Sequence, residues 1–429
     1  MKKITAGLLF FGLYLTLQAQ DYLITFAADG DTGQVATVRV ENLTSGLQAT
    51  LAGTDTLHLV EAVGIAGGGI PDQGIRIYPN PMMNDAVLAF DVPQSGRATI
   101  RITDMAGKTV IFYQDLLPAG ICTFRIACLG RGLYVVHVSG TGYASHEKLI
   151  SSHPLPPNPS LILLSTAGGK TAGDLKSASA MVIMPYHEGD QLLFTGISGP
   201  YSHVVPDVPS SGKVITFYFT ACTDAGGNHY PTVHIGGQTW MAANLNVGTR
   251  IDGIQNQADN GIMEKYCYQD DDQDCALHGG LYQWNELMQY ATTPGGQGLC
   301  PAGWHVPTDA EWCTLTQYLD PTVNCSSVGW SGQNAGGKLK TTGTLEAGTG
   351  LWYDPNYGAT NASGFSGLPS GDRSESAGFA YQGMYGFWWS STQQNTANAW
   401  SRSPDFSAAS IVRGGNQKIC GFSVRCVHD

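Results

Sequence analysis

All nine tryptophans of this 429-residue chain, and seven of its ten cysteines, lie after Thr223. The first 222 residues must therefore build their cores without indole rings. The remainder concentrates large rings and potential cross-links in Gly-rich sequence, the composition of a loop-rich unit stapled by disulfides. So abrupt a change marks a domain boundary near Cys222. At ~100–200 residues per domain the length gives two to four domains.

The N-terminus sets the compartment. Lys2 and Lys3 precede an apolar run from Ile4 to Leu17, and Leu17-Gln18-Ala19-Gln20 then supplies small and polar residues before Asp21. Residues 1–20 have the order of a secretory signal peptide, so the mature chain is expected to start near Asp21, secreted or on the outer-membrane surface. The apolar run is shorter than the ~20 residues of a membrane span, no cysteine follows it for lipid attachment, and no later stretch is apolar enough to span. No Cys-x-x-Cys occurs, which argues against a zinc ribbon or a thioredoxin-type site and for disulfides. Net charge is −12, and from Thr223 onward nine Lys and Arg stand against eighteen Asp and Glu. Such a surface cannot neutralise a phosphate backbone, which excludes nucleic acid as a partner.

Between leader and boundary the period is two. Residues 21–66 form a β module, with runs at Tyr22–Phe26 and Val35–Val40 around the turn cluster Asp29–Gly33. Residues 71–150 form a second unit, whose five runs from Val87 to Val138 fit a small antiparallel, Ig-like sandwich. Residues 151–160 are a Pro-rich linker, and residues 161–221 a further β module. In residues 222–429 helical signals are few. Thr308 caps a helix with Glu311 three residues on, a capping box, followed by Trp312, Leu315 and Leu319 at helical spacing. A second short helix is expected over Leu281–Met288.

Two resemblances follow from particular residues. Ile77-Tyr78-Pro79-Asn80-Pro81, Ile102–Lys108 and Gly132–Val138 resemble the type IX secretion sorting domain of Bacteroidetes-type bacteria. In that family the domain closes the chain and directs export across the outer membrane; here it sits in the interior. Val233–Leu245, Gly298–Trp312, Gly364–Gly371, Phe387–Thr392 and Gly421–Val427 resemble, in order, the Fibrobacter succinogenes major paralogous domain. That resemblance implies an α+β, C-type-lectin-like fold of the formylglycine-generating-enzyme kind. The expected fold class is therefore multidomain and mostly β, with an α+β C-terminal domain.

The enzyme of that fold uses a cysteine pair to activate oxygen. Here Cys420 and Cys426 flank the Gly-Phe motif instead of preceding it, so structural disulfides are the better reading, and an oxidase is a distant alternative. No nucleophile or metalloprotease motif occurs, and no catalytic residue is assigned. A binding role rests on rings in Gly-rich loops: Trp352, Tyr353, Tyr381, Tyr385 and Trp400, with Tyr357 and Phe387 beside them, suit sugar faces or protein contacts. Trp388 and Trp389 read as core. The run Asp270-Asp271-Asp272-Gln273-Asp274 offers Asp270, Asp272 and Asp274 as weak Ca²⁺ ligands, without EF-hand spacing; no other cofactor is expected. His305 reads as a packed histidine. The function expected is a surface or secreted protein that binds a glycan or another surface protein; the alternative is a structural envelope component.

Four bridges are expected: Cys267–Cys275 across a hairpin-like turn, Cys300–Cys426 between the opening and closing motifs, Cys313–Cys325 beside the capped helix, and, by elimination, Cys222–Cys420. Cys122 and Cys128 are not expected to pair. Along one strand, six steps of ~3.3 Å separate their Cα atoms by about 20 Å, far beyond the ~7 Å limit of a bridge.

Overall fold

The computed structural model describes residues 21–61, 75–78, 80–82, 85–105, 107–127, 129–140, 142–151, 159–166 and 181–429. The leader, the Gly67-Gly68-Gly69 run between the first two β units and most of the Pro-rich linker lie outside these residues. The chain is mostly β and divides into two compact units.

The first unit contains the sandwich. One sheet has the order Tyr143–Ser151, Gly132–Gly140, Gly96–Asp104, Thr109–Leu117; the other has Ser160–Thr166, Gly120–Ala127, Asp85–Val92, Ile75–Tyr78. All six strand-to-strand ladders within these two sheets are antiparallel. Alternation decides which side chains face inward. Ala98, Ile100 and Ile102 from one sheet meet Leu88, Phe90, Phe124 and Ile126 from the other in one core, where Phe90 stacks on Phe124 at 5.9 Å. Cys122 lies on the extended strand and is a buried free thiol; Cys128 falls outside the described residues. Ser160–Thr166, read from the sequence as the start of a separate module, instead completes the second sheet by pairing with Gly120–Ala127.

The second unit holds most of the remainder, and strand pairing there crosses the segment limits read from the sequence. Thr37–Asn42 pairs with Leu192–Ser198, and Ile24–Gly30 runs parallel to Lys213–Phe219. Tyr201–Asp207 then pairs in parallel with Thr232–Ile235, so one eight-stranded sheet continues past Cys222. The physical reason is edge coverage: the C-terminal region supplies the strand that satisfies the open backbone of Tyr201–Asp207.

Beyond Cys222 the strands are short and four α-helices intervene: α1 (Asp272–His278), α2 (Trp284–Leu287), α3 (Asp309–Leu319) and α4 (Ala335–Leu339). Helix α3 has the full capping box, with the Thr308 side chain accepting from Glu311 N–H and the Glu311 side chain accepting from Thr308 N–H. Helix α2 is shorter than its sequence suggests, because Tyr282–Gln283 pairs as a strand with Gly421–Phe422. Among the described residues no helix is long and apolar enough to cross a membrane.

Rings and cross-links build this core. Trp240, Trp284, Trp304, Trp312, Trp352, Trp388 and Trp389 are each at most 1% exposed. Each indole N–H is spent on a nearby acceptor: for example Trp284 on Ser390 O, Trp304 on Ala221 O and Trp389 on Tyr282 O, all at 2.8 Å. Disulfides join Cys267 to Cys275, Cys300 to Cys426 and Cys313 to Cys325. The first ties α1 to the turn before it; no hairpin forms there. Cys222 and Cys420 are not bonded, contrary to the expectation by elimination. Each thiol is held where it is by local structure. Cys222 O accepts from Tyr230 N–H at the base of the 223–229 loop, whereas Cys420 Sγ points at Glu375 Oε2, 3.8 Å away.

Candidate functional site

Three segments of the C-terminal region meet at one surface: residues 352–357, 381–387 and 404–408. Backbone hydrogen bonds lock them together. Tyr353 N–H donates to Gly383 O, Phe406 N–H to Met384 O, and Tyr357 N–H to Phe406 O. Gly383 is required at this junction. Its φ is +81°, and an added Cβ would stand 3.0 Å from the Tyr353 ring.

From beneath, the surface rests on Lys340, whose side chain is fully buried. Its ammonium donates to the carbonyls of Asp405 at 2.7 Å and of Tyr357 and Ala408 at 3.0 Å each, using all three protons. The Trp352 ring lies 5.4 Å from the same nitrogen. Burial lowers the Lys340 pKa to about 8, with Asp405 opposing the shift; at neutral pH the group stays charged and clamps two of the three segments.

Tyr353, Tyr357 and Tyr381 are 40%, 61% and 51% exposed. Tyr381 adopts φ +64°, a left-handed conformation that is uncommon and strained for an aromatic residue. Its carbonyl accepts from the N–H groups of Met384 and Tyr385, which hold the turn. Tyr385 is half-buried. It contacts Tyr381 edge-on at 5.6 Å and stacks on Phe387 at 5.4 Å, which in turn stacks on Phe422 at 4.8 Å. Burial, then a hydrogen bond to Asp405, raises the Tyr385 pKa.

Of the sequence candidates, Tyr353, Tyr381 and Tyr385 come together and two do not join them. Trp352 is a correction: it is 0% exposed, its N–H bound by Thr341 Oγ1 and Gly367 O, so its faces are closed to a ligand. Trp400 sits four residues before Pro404, about 13 Å back along an extended strand, with the Arg413 guanidinium 3.4 Å over its ring. Phe406 was missed. It packs edge-on against Tyr353 at 6.4 Å, but stands alone in Pro404-Asp405-Phe406, with no run of rings to signal it.

The acidic run is also corrected. Asp270 accepts from Gly253 N–H, Asp271 caps α1, Asp272 pairs with Arg250 at 2.8 Å, and Asp274 binds His278 and Gln382. With each carboxylate turned to its own partner the run makes no common oxygen cage, and among the described residues no group of three or more His, Cys, Asp or Glu could hold a metal ion. His305 is packed between two carboxylates, Glu311 at 2.8 Å and Asp429 at 2.6 Å. The hydrogen bond to Glu311, ahead of opposing burial, raises its pKa.

Comparison with known proteins bears on the whole chain. No curated protein and no solved structure matches it. Two family models do: the secretion system C-terminal sorting domain matches residues 76–152 and indicates secretion or export to the cell surface, and the Fibrobacter succinogenes major domain matches residues 233–428.

Proposed function

We propose that the protein acts outside the cell as a binding or adhesion protein, and that its C-terminal domain meets a glycan or another surface protein through Tyr353, Tyr357 and Tyr381. The observation that carries this reading is Tyr381, an exposed ring kept in a strained backbone conformation. A glycine would hold the same turn without strain, so a half-exposed tyrosine there is not explained by the turn alone, and such combinations gather at binding sites. The test is a paired glycan and surface-protein array, probed with the full chain and with a Tyr353→Ala/Tyr381→Gly variant. Signals present in the parent and lost in the variant support the reading; identical profiles contradict it.

The chain is proposed not to be an enzyme. Cys426, one member of the only cysteine pair near the Gly-Phe motif, is committed to Cys300. Burial raises the thiol pKa of Cys420 to about 12 and raises that of Cys222 strongly, which suits inert thiols. The second reading, a structural envelope component, draws support from Met105, Phe112, Leu116 and Ile121 of the sandwich, each more than half exposed.

A further inference from the structure

The charge around the tyrosine surface narrows the kind of partner, on the reading that this surface binds one. From Thr341 to Ser401 the chain has a single cation, Arg373. That residue is 1% exposed and turned inward, donating to Gly253 O, Ile419 O and Gln255 O. The exposed charges on these loops are therefore negative. Asp354 follows Tyr353 directly, and Glu346 stands beside it, its Oε2 accepting from Asp354 N–H at 2.8 Å. Exposed ring faces with surplus carboxylate and no free cation form a surface complementary to positive charge. An anionic glycan or acidic peptide would be repelled, and a neutral glycan would draw nothing from the charges.

We infer that this surface binds a cationic segment of a protein partner, seating an arginine or lysine side chain over the tyrosine rings with Asp354 and Glu346 at its rim. Ring faces supply cation–π attraction and cover the apolar stem, while the carboxylates steer and orient the charge.

The test measures binding of the full chain to a labelled hexa-arginine peptide, with hexa-glutamate and a neutral maltoheptaose as comparators, at 50 mM and 500 mM salt. Two variants accompany the parent: Tyr353→Ala/Tyr381→Gly, which preserves charge, and Glu346→Gln/Asp354→Asn, which preserves the rings. Both alter exposed groups, and an unchanged tryptophan emission spectrum confirms folding. Hexa-arginine is expected to bind the parent, to weaken about tenfold in each variant, and to weaken at high salt. Binding that ignores the tyrosine replacements would mean diffuse attraction to an acidic protein and overturns the inference. Maltoheptaose binding that needs the tyrosines but not the carboxylates also overturns it, while leaving the broader binding role standing. If no probe's binding depends on the tyrosines, and the arrays above agree, both fall.

Discussion

In the sandwich of residues 75–166, Ser151 is the one buried polar residue among those described; beyond Cys222, Lys340, Arg373, Arg402 and Arg425 are each at most 2% exposed. Long ladders explain the first case. Strands of eight or nine residues pair with one another through backbone groups, so the interior can be aliphatic. The C-terminal strands are often two to four residues long, and loop carbonyls must find donors elsewhere. Buried cations supply them. Arg425 donates to Asn244 Oδ1 and to the carbonyls of Met241, Phe365 and Ser366, with the Phe365 ring 4.4 Å away; burial lowers its pKa to about 9. Only Arg402 among the four meets a carboxylate, Asp309, at 2.7 Å. A loop-rich core is thus held by side-chain donors where a sheet core is held by the backbone, and the freed loops can carry an exposed tyrosine surface.

That contrast predicts unequal responses. The largest follows removal of the three bridges by Cys→Ser replacement at Cys300, Cys313 and Cys267 together with their partners. At roughly 2–4 kcal/mol per bridge the C-terminal region should lose most of its stability. The sandwich, which has no bridge among its described residues, should keep its protease resistance. Limited proteolysis with mass mapping reads both; equal loss in the two regions breaks the contrast.

Acid comes next. His203 is buried, 3.0 Å from Thr232 Oγ1 and 5.0 Å from the His234 ring, with Tyr218 beside it. Burial, then His234, lowers its pKa to about 3. The unfolded chain therefore takes up a proton between pH ~6.5 and 3 that the folded chain refuses, and stability should fall as pH drops through that window. His305 has the opposite sign: its raised pKa gives stability that is complete below ~6.5 and lost as pH rises through the folded value. A His203→Asn variant should flatten the acid limb of a melting-temperature profile, and a His305→Gln variant should lower the melting temperature at pH 6 more than at pH 8.

Smaller still is Lys340→Met. It leaves three loop carbonyls without their donor, for a loss of about 2–3 kcal/mol, and it should speed amide exchange in residues 353–357 and 405–408 ahead of the rest. The smallest effect is Tyr381→Gly. Glycine accepts φ +64° without strain, which offsets the lost contacts with Tyr385 and Phe387, so the melting temperature should stay within a shift worth about 1 kcal/mol. A large destabilisation would make Tyr381 a structural residue and remove the case for its binding role.

The same contrast governs what could be read from the sequence. Alternation at Ala98, Ile100 and Ile102 and the Thr308–Glu311 box are local signals, and local rules place them. Bridges such as Cys313–Cys325 were legible from proximity to the capped helix. Trp352 was not, because its burial depends on Thr341 and Gly367, on Lys340, and on segments that meet only in the fold. The pairing of Tyr201–Asp207 with Thr232–Ile235 was equally hidden, since composition changes at Cys222 while hydrogen bonding does not. The tyrosine surface was half legible: its rings stood out in Gly-rich loops, but which of them face outward depends on the Lys340 clamp and on the backbone bonds that join Gly383 and Met384 to the other two segments.

The distribution of tryptophan gives the most direct test of the account. Every indole lies beyond Thr223, so tryptophan fluorescence reports on the C-terminal region alone. Urea unfolding of an Arg425→Leu variant, followed by tryptophan emission, should show a midpoint shift equivalent to about 3–5 kcal/mol, as expected when buried acceptors lose a charged donor. Proteolysis of the sandwich under the same conditions should match the parent. An unchanged tryptophan midpoint would contradict the claim that buried cations hold this loop-rich domain together.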